Sequence, residues 1–188
     1  LGSKPFLWDK HDGAWRSRSY GETAEQISRL GRGLKALGVE KGDRVVIVSE
    51  NRPEWVVADL AIAAIGAIAV PAYTTNTTDD HLYILDHSGA KVVIVSTEKL
   101  AQRVLPAACS ASACDIVISM EAPTSDTQAG VRSLHWDYVA AMGDTEPDDI
   151  RESAAALARD DVVCLIYTSG TGGRPKGVML THGSILAN

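Results

Sequence analysis

Short apolar runs alternate with amphipathic stretches along most of this chain of 188 residues. The runs are mostly aliphatic, as is typical of buried strands. They predict strands at residues 44–48, 68–70, 91–95 and 115–118, and two more at 162–166 and 178–180. The stretches between them predict helices at residues 20–37, 51–65, 80–87, 98–105, 136–142 and 147–158. Strands and helices that alternate in this way predict βαβ units, and therefore an α/β fold around a parallel sheet.

Polar residues and glycine mark the predicted ends of several elements. Ser19 and Glu22 have the spacing of a capping box, in which each side chain bonds the backbone N–H of the other residue. Gly38 is expected to stop the helix that begins there. Asn51 is expected to cap the second helix, and Pro71 to end the strand that follows it.

Gly31 and Gly33 lie in the middle of the first predicted helix, and the residues around them formally fit a dinucleotide-binding fingerprint. That fingerprint has to follow a strand and open a helix, and neither condition holds here. We therefore interpret these glycines as small residues that allow close packing of helices.

The segment from Tyr167 to Gly177 concentrates glycine and hydroxyl side chains between two predicted strands. Glycines let successive backbone N–H groups turn toward one point and form a nest for an anion. Lys176 adds a compact positive charge that suits phosphate. The composition also permits an ordinary hairpin turn, but we favour a loop that binds a polyphosphate. It is not a Walker loop, because Pro175 and then an apolar run stand where that motif needs Gly-Lys and a helix.

The same segment resembles the phosphate-loop signature of the adenylate-forming (AMP-binding) superfamily, Tyr-Thr-Ser-Gly-Thr-Thr-Gly-x-Pro-Lys-Gly. Every fixed position matches except Gly172, where the superfamily usually has threonine. Residues 42–45, 50–55, 83–90 and 178–182 look like blocks from the N-terminal part of long-chain fatty-acid CoA ligases, the acyl-CoA synthetases. The likeness covers nearly the whole chain.

This resemblance implies a ligase that joins a fatty acid to ATP, giving acyl-AMP and pyrophosphate, and then passes the acyl group to coenzyme A. ATP, Mg²⁺ and coenzyme A are the implied cofactors and co-substrates. Thr168 is expected to contact Mg²⁺ as well as nucleotide, and no catalytic residue is assigned within the chain. The expected nucleotide-binding residues are Thr168, Ser169, Gly170, Thr171, Gly172, Gly173 and Lys176.

The resemblance also implies an incomplete domain. Residues 1–160 would form a layered, parallel-sheet N-terminal α/β subdomain, and residues 161–188 the phosphate-loop hairpin and the start of the next, truncated subdomain. The chain has no initiator Met and stops before the superfamily's downstream segments for Mg²⁺, adenine and ribose and before its C-terminal lysine. We therefore expect that this chain alone has no ligase activity.

Two other functional classes stay open at this point. The adenylation step could feed a carrier protein instead of coenzyme A, as in acyl-AMP ligases and carboxylic acid reductases. The chain could also be a non-catalytic nucleotide-binding module, which the natural length of the gene would decide.

Composition narrows the range of partners. A formal net charge of -6, with 45% hydrophobic and 22% charged residues, is ordinary for a soluble globular protein and argues against a general nucleic-acid binder. The longest apolar run, residues 55–70, is shorter than a membrane span. A fatty acid is the expected substrate and the cytoplasm the expected location, while peripheral membrane contact and oligomeric state stay open.

Cysteine and histidine give no metal or redox motif. The three cysteines fit neither a zinc pattern nor Cys-x-x-Cys, and Cys164 is expected to be a small buried residue within its strand. His81 and His87 are six residues apart, which does not fit a helical metal-binding pair. His182 is expected to play a structural role at the start of a helix.

Overall fold

A seven-stranded sheet forms the centre of the protein, and an antiparallel hairpin of two further strands lies outside it. The computed structural model describes residues 1–121, 130–169 and 173–187. The outer hairpin consists of β1 (Pro5–His11) and β2 (Ala14–Ser19). The central strands are β3 (Arg44–Val48), β4 (Ile68–Ala72), β5 (Val92–Val95), β6 (Ile116–Ser119), β7 (Arg132–His135), β8 (Val162–Thr168) and β9 (Lys176–Thr181).

The central sheet has the order β7-β6-β5-β3-β4-β8-β9. Strands β3 to β8 are mutually parallel, and β9 at the edge runs antiparallel to β8. The predicted α/β fold around a mostly parallel sheet is therefore confirmed.

Helices cover both faces of this sheet, as a parallel sheet requires. The helices are α1 (Tyr20–Ala36), α2 (Pro53–Ala64), α3 (Thr78–Ser88), α4 (Glu98–Ser110), α5 (Trp136–Asp144), α6 (Ile150–Ala155) and α7 (His182–Leu186). Helices α1, α2, α5 and α6 share one hydrophobic core with the sheet, and α3 and α4 share the other. Successive strand residues point to opposite faces, so Val45 and Ile47 enter the first core while Val46 and Val48 enter the second.

The neighbouring strands β3 and β4 send their following helices to opposite faces of the sheet. Helix α2 follows β3 onto the first face, and α3 follows β4 onto the second. In open α/β sheets, ligands bind in the crevice outside the carboxyl ends of the strands at such a switch point. Because β8 is parallel to β4 and adjacent to it, β8 ends at this same edge.

Two predicted boundaries were wrong. Asn51 does not cap α2: Arg52 occupies the N-cap position in extended conformation, because the residue before Pro53 is pushed out of the helical region. Pro71 does not end β4 but lies within it, where the pairing of β4 with β8 is confined to Ala69 and Cys164. Because proline lacks a backbone N–H, its presence in such a strand removes at most one hydrogen bond between strands.

Two helices differ in length from their predictions. Helix α4 continues through Pro106 to Ser110, because Ala107 and Ala108 beyond the proline are buried against the core. Helix α6 is limited to Ile150–Ala155, since the acidic residues before it bond to α1 instead of extending the helix.

The outer hairpin and β7 were not predicted. β2 is almost wholly exposed and β7 is mostly half-buried, so neither carries an aliphatic run. In the described parts of the chain, no helix combines the length and the apolar character needed to cross a bilayer.

Close contact between α1 and α5 accounts for Gly33 in the middle of α1. A Cβ added to Gly33 would lie 2.0 Å from the carbonyl oxygen of Val139, and one added to Gly143 would lie 1.9 Å from that of Arg29. The same interface is held by an ion pair of 2.6 Å between Arg29 and Asp144. The interpretation of Gly33 as a packing residue is confirmed, and the dinucleotide fingerprint stays rejected.

We expect Gly33→Ala to lower the free energy of unfolding by about 1–3 kcal/mol, because the added methyl group overfills the α1–α5 contact. Helix propensity alone predicts the opposite sign, a gain of roughly 0.5–1 kcal/mol. Urea denaturation measures the difference, and Glu25→Ala, at an exposed position of the same helix, serves as the control. A Gly33→Ala protein as stable as the wild type would contradict the close packing.

Candidate nucleotide-binding site

The hairpin of β8 and β9 brings the predicted phosphate-loop residues to the carboxyl edge of the sheet. In its register, Tyr167 lies opposite Gly177, and Thr168 lies opposite Lys176. Lys176 reaches this edge because β9 starts where β8 ends. The two strands predicted on either side of the loop are therefore confirmed, and they pair with each other.

The described members of the predicted site are accessible to a ligand. Thr168, Ser169, Gly173 and Lys176 are all exposed. Gly173 has a φ of +111°, a conformation that favours glycine. Among the described residues, none forms an ion pair with Lys176. An ammonium group without a carboxylate partner remains available to an anion.

Gly170, Thr171 and Gly172, the other three predicted site residues, lie outside the described residues. Their contribution to the site stays a prediction.

A cleft of about 250 Å³ opens beside the hairpin. Its walls come from the loop after β4, from α3, from the end of β8 and from the residue just before β9, and they include Tyr73, Asn76, Tyr83, Ser169 and Pro175. The cleft therefore lies at the switch-point edge, next to a predicted phosphate-binding hydroxyl.

Two side chains of α3 bond to the two strands of the hairpin. The hydroxyl of Tyr83 donates to the carbonyl oxygen of Pro175 at 2.8 Å. Nδ1 of His87 lies 2.8 Å from the hydroxyl of Tyr167. Tyr83 and His87 are four residues apart and so lie on the same face of the helix. Sequence analysis assigned no role to Tyr83 or Tyr167, although the spacing of Tyr83 and His87 was a visible signal.

The aromatic rings of these residues form one cluster. Tyr167 packs edge-on against Tyr83 and against His87, at centroid distances of 6.3 and 5.7 Å. The guanidinium of Arg174 lies 5.0 Å from the centre of the Tyr83 ring, within the range of a cation–π contact. Burial raises the pKa of the Tyr167 phenol, so this group is neutral in its hydrogen bond with His87.

His81 and His182 have structural surroundings. His81 is 2% exposed, and burial lowers the pKa of its imidazole, which makes it neutral at pH 7. His182 is the first residue of α7, and its backbone N–H donates to Asp161, as expected of a residue at a helix start. The described residues contain no cluster of His, Cys, Asp and Glu side chains suited to a metal ion.

Cys164 is a buried residue of β8, as predicted. Burial raises the pKa of its thiol to about 11, and that of Cys114 to about 12. Both thiols are therefore protonated near neutral pH, and the nucleophilic thiolate form is scarce.

We expect Cys164 and Cys114 to resist alkylation by iodoacetamide in the folded protein at pH 8, since this pH lies well below both thiol pKa values. Both should react fully in guanidinium chloride, which serves as the control. Peptide mass spectrometry separates the sites. Rapid labelling of Cys164 in the folded protein would contradict its burial.

Comparison with known proteins supports the assignment that the geometry suggests. The profile of the family described as AMP-binding enzyme matches residues 2–188, which is almost the full length of the sequence. The chain belongs to the AMP-binding enzyme family. Its resemblance to the adenylate-forming superfamily is thus confirmed.

Within the AMP-binding enzymes, the chain is similar to long-chain-fatty-acid–CoA ligase FadD15 of Mycobacterium tuberculosis. The two are 37% identical over 176 residues, which cover 93% of this chain and 28% of FadD15. The chain thus spans just over a quarter of the length of this relative.

Two solved structures share the fold. A benzoate CoA ligase from Burkholderia xenovorans is 29% identical, with a TM-score of 0.72, over 91% of this chain and 30% of that protein. A carboxylic acid reductase didomain from Segniliparus rugosus, in complex with AMP, has a TM-score of 0.78 over 92% of this chain and 26% of the didomain. At 22% identity, the second comparison shows the fold alone.

Proposed function

We propose that this chain is the phosphate-binding part of an AMP-forming acid–thiol ligase that acts on long-chain fatty acids. The observation that carries the proposal is the hairpin at the carboxyl edge of the sheet, where Thr168 and Ser169 are exposed near Lys176. In the part of the chain that the structure describes, Lys176 has no ion-pair partner. Membership of the AMP-binding enzyme family and the identity of 37% with FadD15 support the reaction and the substrate class.

The first half-reaction is the attack of a carboxylate on the α-phosphorus of ATP, with pyrophosphate as the leaving group. Negative charge accumulates on the leaving phosphates, so the protein acts mainly through positioning and fixed electrostatics. The ammonium group of Lys176 would neutralise part of this charge, and the hydroxyls of Thr168 and Ser169 would donate hydrogen bonds. Backbone N–H groups of Gly170 to Gly173, with the hydroxyl of Thr171, would complete the anion nest.

Mg²⁺ would accompany the nucleotide. Mg²⁺ usually binds through substrate phosphates, waters and few protein groups. The exposed hydroxyl of Thr168 is the proposed protein contact. In the second half-reaction, the thiol of coenzyme A would take the acyl group and release AMP.

The proposed domain division places a subdomain boundary before Asp161. Ile166, Val178 and Met179 are exposed apolar residues of the hairpin, which supports a further part of the protein packing there. Since the chain spans 28% of FadD15, we propose that residues 1–188 do not complete the reaction by themselves. The proposed setting is cytoplasmic.

The substrate class is tested on the natural full-length protein by exchange of labelled pyrophosphate into ATP. We expect exchange to require a long-chain acid such as palmitate, with much weaker exchange for benzoate, and the product to be a thioester with coenzyme A. Exchange with benzoate but not palmitate would contradict the substrate class. Transfer to a phosphopantetheine carrier protein, but not to coenzyme A, would favour the carboxylic acid reductase type of acceptor.

We expect Lys176→Ala to lower the rate of acid-dependent pyrophosphate exchange at least tenfold. The loss of one charge-assisted contact removes about 1.5–3 kcal/mol of stabilisation, and about 1.4 kcal/mol corresponds to a factor of ten in rate. The matched control is Lys99→Ala, which removes an exposed lysine of α4 far along the chain from the hairpin. Equal exchange rates for Lys176→Ala and the wild type would rule out the proposed phosphate contact.

A further inference from the structure

Helix α3 is fixed at both ends and along its buried face. Thr77 and Asp80 form a capping box at its start. At its end, the guanidinium of Arg44 donates to the carbonyl oxygens of Ser88 and Gly89, at 2.6 and 2.9 Å. Its middle turn contributes the buried residues Ile84 and Leu85 to the second core. A helix held in this way gives firm support to the residues that its other side chains contact.

Two further side chains of α3 contact the hairpin, one on each side of its loop. On the strand that enters the loop, His87 holds Tyr167, the residue immediately before Thr168. On the strand that leaves it, Tyr83 holds the carbonyl group of Pro175, the residue immediately before Lys176. Thr168 and Lys176 are thus each one residue away from an attachment to α3.

Tyr167 is buried between α3 and the opposite strand of the hairpin. Its side chain is 5% exposed, and a Cβ added to the opposite residue, Gly177, would lie 3.4 Å from the phenol ring. The ring of Tyr83 also carries the guanidinium of Arg174, which follows the proposed anion nest. Both sides of the hairpin loop are therefore in contact with the same helix.

We propose that Tyr83 and His87 are positioning residues, which brace the two strands of the hairpin against α3 and so hold Thr168 and Lys176 at the spacing that a triphosphate requires. The inference deepens the proposed function and rests on it. Neither side chain has to touch the nucleotide. Effective electrostatic stabilisation depends on donors that are already in place, so looser strands should weaken nucleotide binding before they weaken the fold.

The test uses Tyr83→Phe and His87→Leu in the natural full-length protein. Tyr83→Phe keeps the ring, its packing and its contact with Arg174, and removes only the hydroxyl that bonds Pro175. Each variant should raise KM for ATP in pyrophosphate exchange about two- to tenfold, the range expected from one hydrogen bond. KM for the fatty acid and the Tm should stay close to those of the wild type.

One conservative variant of His87 and one control variant complete the experiment. His87→Asn places an amide nitrogen near the position of Nδ1 and should recover most of the ATP affinity that His87→Leu loses. Tyr138→Phe, at an exposed tyrosine of α5, is the matched control and should leave all parameters unchanged. Unchanged KM for ATP in both Tyr83→Phe and His87→Leu would overturn the inference, as would a parallel fall in Tm, acid affinity and ATP affinity.

Amide hydrogen exchange gives a second readout that does not depend on catalysis. In the absence of nucleotide, peptides that span the hairpin should exchange faster in Tyr83→Phe and His87→Leu than in the wild type, while peptides from β3 and β5 should not change. Equal exchange in the hairpin would overturn the bracing role. A wild-type protein without acid-dependent pyrophosphate exchange would instead count against the proposed ligase function, and amide exchange would still decide whether α3 holds the hairpin.

Discussion

Lys176 lies at the carboxyl edge of the sheet because β9 runs antiparallel to β8. This one reversal places the end of β8 and the start of β9 side by side, with Thr168 opposite Lys176. Had the chain crossed over to a further parallel strand, the residue after the loop would lie far from the hydroxyl groups before it. The proposed phosphate site therefore depends on the pairing of β8 with the edge strand β9, and this pairing has support from outside the sheet.

Helix α3 supplies that support and links the core to the site. Its buried residues close one face of the sheet, and its Tyr83 and His87 reach the hairpin. The position of α3 follows from the topology, because α3 leaves β4 at the point where successive helices change faces. The same helix thus packs in the core and contacts the site. Burial of Ile84 and Leu85, which holds α3 in place, therefore contributes indirectly to the geometry around Lys176.

Local sequence signals predicted six of the seven central strands and the capping box at Ser19, because each depends on neighbours in sequence or on a bare run of aliphatic residues. The close packing at Gly33 was predicted from the small size of the residue, although its contact, Val139, is distant in sequence. Local signals failed where context decides, as when buried neighbours carry α4 through Pro106. The hydroxyls and the lysine of the site were likewise visible as a motif. The contact of Tyr83 with Pro175 joins residues 92 apart, and no local pattern encodes such a distance.

The central claim is that this hairpin holds the phosphates of ATP. A crystal structure of the full-length protein with a non-hydrolysable ATP analogue tests it most directly. We predict that the β- and γ-phosphates lie within hydrogen-bond distance of the Lys176 ammonium and of the Thr168 and Ser169 hydroxyls. A nucleotide bound at another site, with the hairpin empty and its amides paired with other backbone groups, would contradict the account.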